Sequence, residues 1–271
     1  MAVLRVNPLT PTLGAEIGGV DLSQPINDVV LGAVHGALLE HQVIFFRDQQ
    51  LSPASQVALG KRFGVLQAHP VAPHIDGYPE LMRIHTDEHS ARHNGADWHT
   101  DLSCEPNPPM GSILYLTTVP DTGGDTLFAS MYAAYDALSP AMQRILEPLR
   151  AVHESEAAFG QTYREAQLEQ KRERPRAVHP VVQAHPETGR KALYVNPTYT
   201  TCIEGLALRE SDALLGFLCE HLSQPRFQCR FSWRPNSVAF WDNRCVQHLA
   251  IWDYFPQTRS GARVTIARTP D

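Results

Sequence analysis

The sequence predicts an α/β chain with a mainly β core: a β-sandwich or jelly roll with helices packed outside it. Two observations carry that expectation. Short runs rich in β-branched and aromatic residues, bounded by Gly, Pro, Asn or Asp, recur along all 271 residues. Helical patterns interrupt them at irregular intervals, without the regular βαβ rhythm of a doubly wound sheet.

The expected strands are "VIFF" at 43–46, "SILYLTTV" at 112–119, "ALYV" at 192–195, "CRFSW" at 229–233, "SVAFW" at 237–241 and "ARVTIA" at 262–267. A first helix starts near Asn27, where Val29, Val30, Ala33, Val34, Leu38 and Leu39 recur at helical spacing. Ser52 as cap and Pro53 at the first helical position open a second, which Gly64 is expected to stop. A third helix is expected over 130–148, and a fourth over 209–222 with Leu214, Leu215, Leu218 and Leu222 as its buried stripe. Residues 154–176 are polar, with Phe159 and Tyr163 among them. That profile fits a mobile lid over an active site and equally a plain surface excursion. No repeat or Pro/Gly/Ser-rich linker divides the chain, so residues 1–271 read as one domain.

Composition excludes several classes of function. A net charge of −6 and the absence of a dominant basic face argue against nucleic acid. No apolar run approaches the length of a membrane span, and "MAVLRVNPLTPTLG" lacks the features of a signal peptide. The five cysteines are odd in number and form no C-x-x-C pair, so reduced thiols in a cytoplasmic protein are expected.

The chemistry concentrates in "RIHTDEHSARHNGADWHTD" at 83–101, where His-Thr-Asp occurs twice. A His and an Asp two apart on an extended chain share a face and can reach one metal ion. His85, His89 and His93 have helical spacing but no apolar stripe to hold a helix, so that copy reads as an exposed polar loop. There is no H-E-x-x-H motif of the common metalloproteases. The second copy, His99 and Asp101, leads into the strong strand at 112–119. His248, far downstream in "SVAFWDNRCVQHLAIWDY", would complete a two-histidine, one-carboxylate triad that leaves three positions of an Fe(II) ion open. Arg259 and Arg263 follow, and guanidinium groups beside a metal pocket imply anionic ligands.

Taken together, "WHTD", "GGDTLFASMYAAYDALSP", "LYVN", "FWDNRCVQH" and the arginines beyond resemble the taurine dioxygenase family of Fe(II)/2-oxoglutarate-dependent oxygenases. The similarity runs from "LTPTLGAEIGGVDLSQPI" to "GARVTIAR", nearly the whole chain. It implies a double-stranded β-helix, a cupin-like jelly roll, with flanking helices. It implies His99, Asp101 and His248 as the metal ligands and catalytic centre, and Fe(II), 2-oxoglutarate and O2 as cofactor and co-substrates. It further implies that Thr126 and Arg259 hold the distal carboxylate of 2-oxoglutarate, and that Arg263 with His69 holds a small anionic organic substrate. Leu102, Cys104, Tyr199 and Phe159 are candidate pocket walls. Family resemblance also implies a homo-oligomer, dimer or tetramer.

Ala72, Gly95 and Cys104 stand where the taurine enzyme carries tyrosine, asparagine and phenylalanine. Loss of those groups points away from taurine itself and toward a larger, less polar anion: an alkyl sulfate, a sulfonate or an aryloxyalkanoate. "GADWHTD", "SMYAAYDALSPAMQ" and "IEGL" are also similar to the aryloxyalkanoate enzymes. Hydroxylation beside the heteroatom would cleave a C–S or C–O bond, with release of succinate and CO2. Taurine dioxygenase proper, a zinc hydrolase on the same ligands, and a cupin-like metal-binding protein without oxygenase activity remain the alternatives.

Overall fold

A computed structural model describes residues 4–69, 72–91, 95–156, 158 and 174–268. Its largest element is a nine-stranded sheet, which β1 (Arg5–Pro8), β2 (Ala15–Gly18) and β3 (Val43–Phe46) enter from one edge. Next come β15 (Ser237–Asp242), β7 (Gly111–Thr118), β17 (Arg259–Ile266), β6 (Tyr78–Thr86) and β5 (His74–Ile75), with β4 (Leu66–Gln67) also pairing β17. A second sheet has the order β14 (Gln228–Phe231), β8 (Thr126–Ser130), β16 (Val246–Ala250). Smaller ladders join β10 (Arg176–Pro180), β9 (Arg150–Glu154) and β13 (Thr200–Ile203), and pair β11 (Val182–Ala184) with β12 (Lys191–Leu193).

The continuous apolar strands have a simple cause: the large sheet is buried on both faces. Side chains alternate across a strand. Val43, Phe45, Leu114, Leu116, Ala239 and Trp241 therefore enter one core, shared with Phe128 of β8 and Phe231 of β14. Their neighbours Ile44, Phe46, Ile113, Tyr115, Val238 and Phe240 enter a second core against two helices. Those helices are α1 (Asp28–His41) and α2 (Pro53–Lys61), which contribute Val34, Leu38, Val57 and Leu59.

The helix starts follow their caps. Asn27 Oδ1 accepts from the Val30 N–H, and Ser52 forms a capping box with Ser55 ahead of Pro53. The second helix ends at Lys61, short of the expected stop at Gly64. Gly64 serves close packing: a Cβ there would lie 2.9 Å from Ile266 Cγ2. The single helix expected over 130–148 is two, α3 (Met131–Asp136) and α4 (Pro140–Leu146). Pro140 lacks the N–H needed to continue the first, and Ser139 caps the second by accepting from the Met142 N–H. In α5 (Leu208–Leu222), Leu215, Leu218 and Leu222 are buried as expected, while Leu214 is only half-buried.

Strands β8, β9, β10 and β16 were not expected, because polar residues flank or interrupt their short apolar runs. Of these, β8 carries Thr126 and β16 carries His248. No helix among the described residues is long and apolar enough to cross a membrane.

Candidate active site

Strand β16 is the site's foundation. His99 forms an isolated antiparallel bridge with His248, exchanging hydrogen bonds of 3.1 Å and 2.9 Å, and Ala250 N–H donates to the Gly95 carbonyl at 2.8 Å. The bridge sets the two imidazoles side by side, with ring centroids 4.1 Å apart. Asp101 lies two residues along, so it shares their face. Its Oδ1 is 3.9 Å from the Nε2 of each histidine, and the three ligand atoms lie within 4.8 Å of one another. All three side chains are buried.

The surroundings orient these groups as metal ligands. His99 Nδ1–H donates to the Asp97 carbonyl at 2.8 Å, which leaves the Nε2 lone pair facing Asp101. Ser112 Oγ donates to Asp101 Oδ2 at 2.8 Å, and Asn243 Nδ2 reaches the same oxygen at 3.5 Å. Asn243 is itself fixed by Trp241 Nε1–H at 2.9 Å, and the Trp241 ring packs 4.7 Å from His248. Burial lowers the pKa of both histidines, so they stay neutral, the form that binds metal. Burial pushes the Asp101 carboxyl up, but Arg263, His248, His99 and the Ser112 hydrogen bond outweigh it and hold the group ionised. Two neutral imidazoles and one carboxylate on one buried face fit a divalent metal such as Fe(II).

A second buried group, His185, Asp242 and Cys245, is equally close-set but does not fit an ion. Both Asp242 oxygens are occupied: Arg244 Nε donates to Oδ1 at 2.8 Å and Nη2 to Oδ2 at 2.7 Å, where His185 also bonds at 3.0 Å. The cleft beside β1 and β2, lined by Arg5, Glu16, Arg47 and Asp48 among others, shares no residue with the triad.

Arg259 and Arg263 sit four residues apart on β17 and therefore point to the same face. Arg263 Nη1 donates to Asp101 Oδ1 at 2.7 Å. Arg259 is buried, and among the described residues no carboxylate pairs with it. Its Nη2 approaches Thr126 Oγ1 at 3.4 Å, and its Nε has no acceptor among the described residues. Burial lowers its pKa. A buried guanidinium with no acid beside it is a setting that suits an anion.

His69 is buried, and its Nδ1 accepts from the Ala72 N–H at 3.1 Å. Burial and the nearby Arg263 lower its pKa to about 4, so the ring is neutral with its proton on Nε2. Leu102, Cys104 and Tyr199 are buried, and burial raises the pKa of the Tyr199 hydroxyl. Burial pushes the Cys104 thiol up to about 12, leaving it uncharged. Phe159, and most of the expected lid at 154–176, lie outside the described residues.

The first His-Thr-Asp copy is not a loop throughout. His85 and Thr86 end strand β6, and His93 lies outside the described residues. Sequence reasoning missed the supporting roles of Ser112 and Asn243, although both lie inside the stretches "SILYLTTV" and "FWDNRCVQH".

A jelly roll holding a buried two-histidine, one-carboxylate triad defines a mononuclear non-haem metal enzyme. The pattern of the taurine catabolism dioxygenase TauD, TfdA family matches residues 5–267, and the chain belongs to that family. It is 36% identical to an alkylsulfatase of Acinetobacter baylyi over 97% of this chain and 85% of the relative. It is 35% identical to an alpha-ketoglutarate-dependent sulfate ester dioxygenase of Pseudomonas putida, over 97% and 89% of the two chains. A solved structure of a taurine dioxygenase from Burkholderia xenovorans superposes with a TM-score of 0.85 at 37% identity, covering 98% of this chain and 90% of the other. The chain is accordingly a 2-oxoglutarate-dependent dioxygenase, an oxidoreductase that uses Fe(II), 2-oxoglutarate and O2.

Proposed function

We propose that this dioxygenase hydroxylates an organic anion at the carbon next to a heteroatom, with an alkyl sulfate ester as the preferred substrate and sulfonates and aryloxyalkanoates as the neighbouring classes. The observation that carries the reading is one strand face: β17 presents one arginine at the triad and, four residues away, another with no acid partner among the described residues. That arrangement supports the binding of two separate anions beside one metal.

In this reading His99, Asp101 and His248 hold the iron. Bound Fe(II) couples oxidative decarboxylation of 2-oxoglutarate to insertion of one oxygen atom of O2 into a substrate C–H bond. Arg259 and Thr126 anchor the distal carboxylate of 2-oxoglutarate. The neutral His69 and Arg263, whose buried Nε has no acceptor among the described residues, hold the substrate's anionic end. Leu102, Cys104 and Tyr199 wall the site and exclude water. For an alkyl sulfate, the hydroxylated carbon bears both hydroxyl and sulfate. Loss of the hydroxyl proton and the sulfate leaves an aldehyde, inorganic sulfate, succinate and CO2.

Taurine is the competing substrate, favoured by the name of the Burkholderia structure. Against it stand Ala72, Gly95 and Cys104, which supply no polar side chain for a buried ammonium. Gly95 has φ +84°, and a Cβ there would lie 3.2 Å from His99 Cε1, so glycine keeps the space beside the ligand open. The five cysteines are free, in keeping with a cytoplasmic location, and a homo-oligomer is expected from the family.

The test begins anaerobically. Fe(II) followed by 2-oxoglutarate is expected to give a visible charge-transfer band in wild type and His85→Ala, but not in His99→Ala. Succinate release, with sulfate from hexyl sulfate, sulfite from hexanesulfonate and taurine, and 2,4-dichlorophenol from 2,4-dichlorophenoxyacetate, would then be compared across the four compounds. No band in wild type overturns the co-substrate assignment, and turnover of taurine equal to hexyl sulfate overturns the substrate class.

A further inference from the structure

We infer that Trp233 is a positioning residue for 2-oxoglutarate, acting through Thr126; the inference rests on the co-substrate reading above. Trp233 lies two residues past β14, on the same side as Phe231, which pairs with Thr126 across the ladder. Its indole Nε1–H donates to Thr126 Oγ1 at 2.9 Å, and Arg259 Nη2 donates to the same oxygen at 3.4 Å. An indole N–H and a guanidinium can only donate, and a hydroxyl oxygen has two lone pairs. Both lone pairs are therefore taken. The Thr126 hydrogen must point elsewhere, and among the described residues no group accepts it.

The consequence is a cluster of unmatched donors. The Thr126 O–H and the buried Arg259 Nε–H both lack an acceptor among the described residues. An ionised carboxylate, which only accepts, matches that set. Without the indole N–H, the Thr126 hydroxyl could rotate to keep its own hydrogen off the anion. The indole also lies 5.5 Å from the Arg259 guanidinium carbon, within cation–π range, so one side chain braces both anchors.

Trp233 is rigid enough for this task. Its ring meets Phe231 edge-on at 5.0 Å, and Phe231 stacks on Phe45 at 3.9 Å while Arg47 covers the Phe231 ring at 4.1 Å. The support runs back into the core shared by the two sheets.

The test measures 2-oxoglutarate affinity of the Fe(II)-loaded enzyme under anaerobic conditions by calorimetry. The proteins are wild type, Trp233→Phe, Thr126→Val and the double variant, each checked for folding by thermal melting. Trp233→Phe keeps an aromatic ring and loses the N–H, and should weaken binding about fivefold, the size of one hydrogen bond between neutral groups. Thr126→Val should weaken it about tenfold. The double variant should bind as Thr126→Val does, because the indole acts through the hydroxyl. Binding of 2-oxobutyrate, which lacks the distal carboxylate, should be unchanged in all three variants. Wild-type affinity in Trp233→Phe, a double loss equal to the product of the single losses, or equal weakening toward 2-oxobutyrate would each overturn the inference. Thr126→Val applies the 2-oxobutyrate comparison without touching the indole, should Trp233→Phe not fold. Absence of 2-oxoglutarate binding in wild type instead defeats the underlying co-substrate reading.

Discussion

His-Thr-Asp at 85–87 and His-Thr-Asp at 99–101 are the same three residues in opposite environments. In the first, the central Thr86 faces inward and bonds the Tyr254 hydroxyl at 2.6 Å, so strand alternation turns His85 and Asp87 outward. Their side chains are 45% and 30% exposed, and His85 Nε2 bonds Asp87 at 3.3 Å. In the second, a one-residue bridge to His248 is followed by a turn with Leu102 at φ +49°, and His99, Thr100 and Asp101 are all buried. The tripeptide supplies a ligand pair in both places. Among the described residues, only the second copy has a third ligand, a desolvated setting and supports that fix each group's direction.

The largest expected effect breaks that contrast at its base. His99→Ala or His248→Ala should lower Fe(II) affinity by more than the roughly 10–100-fold typical of losing a supporting residue. Equilibrium dialysis of Fe(II) under anaerobic conditions measures this. Retention of wild-type affinity in either variant would move the iron elsewhere.

Legibility in the sequence followed the same division between pattern and surroundings. Strands buried on both faces, such as 43–46 and 237–242, stood out because the first is wholly apolar and the second carries the unbroken apolar run Val238–Trp241. Strands β8 and β16 did not, because they carry Thr126, Gln247 and His248 among their apolar residues. The triad was readable because His-x-Asp and a distant His are tied to few kinds of chemistry. Arg259 and Arg263 were singled out because guanidinium groups beside a metal pocket imply anionic ligands, but the expected strand at 262–267 left Arg259 out, and their shared face emerges only with β17. Ser112, Asn243 and Trp233 were not, because a serine in a strand, or an asparagine or a tryptophan just past one, has many ordinary roles, and only three-dimensional pairing selects this one.

A second expected effect concerns the buried imidazole of His153, which bonds Ser103 Oγ at 3.0 Å behind the metal-binding segment. Burial, and next the neighbouring His179, lower its pKa from 6.5 to about 3. Above pH 6.5 it is neutral in both folded and unfolded chains. Below that, the unfolded chain takes up a proton that the folded one refuses, so stability falls as pH drops from 6.5 toward 3. The loss attributable to this group is about 2 kcal/mol by pH 5. Urea unfolding of wild type and His153→Gln at pH 7 and pH 5 should show a flatter dependence in the variant by that amount. Parallel slopes would mean that other groups govern the acid limb.

Smaller still is the effect of the residues behind each aspartate, which sharpen the comparison because both copies have a serine there. Ser112 Oγ donates to Asp101 at 2.8 Å, and Ser90 Oγ donates to Asp87 at 3.1 Å. Ser112→Ala should weaken Fe(II) binding about tenfold, at the lower end for an outer support, since Asn243 still reaches the same oxygen. Ser90→Ala should leave Fe(II) binding unchanged. Equal effects from the two would show that the dialysis reports general stability and not the ligand's orientation.

The smallest expected effect is at the first copy itself. His85 and Asp87 are partly exposed, and their contact is a surface ion pair only when the histidine is protonated. Such pairs contribute about 0–1 kcal/mol. His85 also bonds Ser260 Oγ at 3.3 Å across β6 and β17, a contact that water can replace at the surface. His85→Ala should therefore leave the Fe(II) affinity and the charge-transfer band of wild type intact, and lower stability by less than about 1 kcal/mol. The result would be most informative if it failed. Loss of the band would require β6, which pairs Thr86 with Arg259 on β17, to transmit the change to the 2-oxoglutarate end of the site. The Kd for 2-oxoglutarate would then rise while Fe(II) dialysis stayed at wild type, separating a distorted arginine from a lost metal ligand.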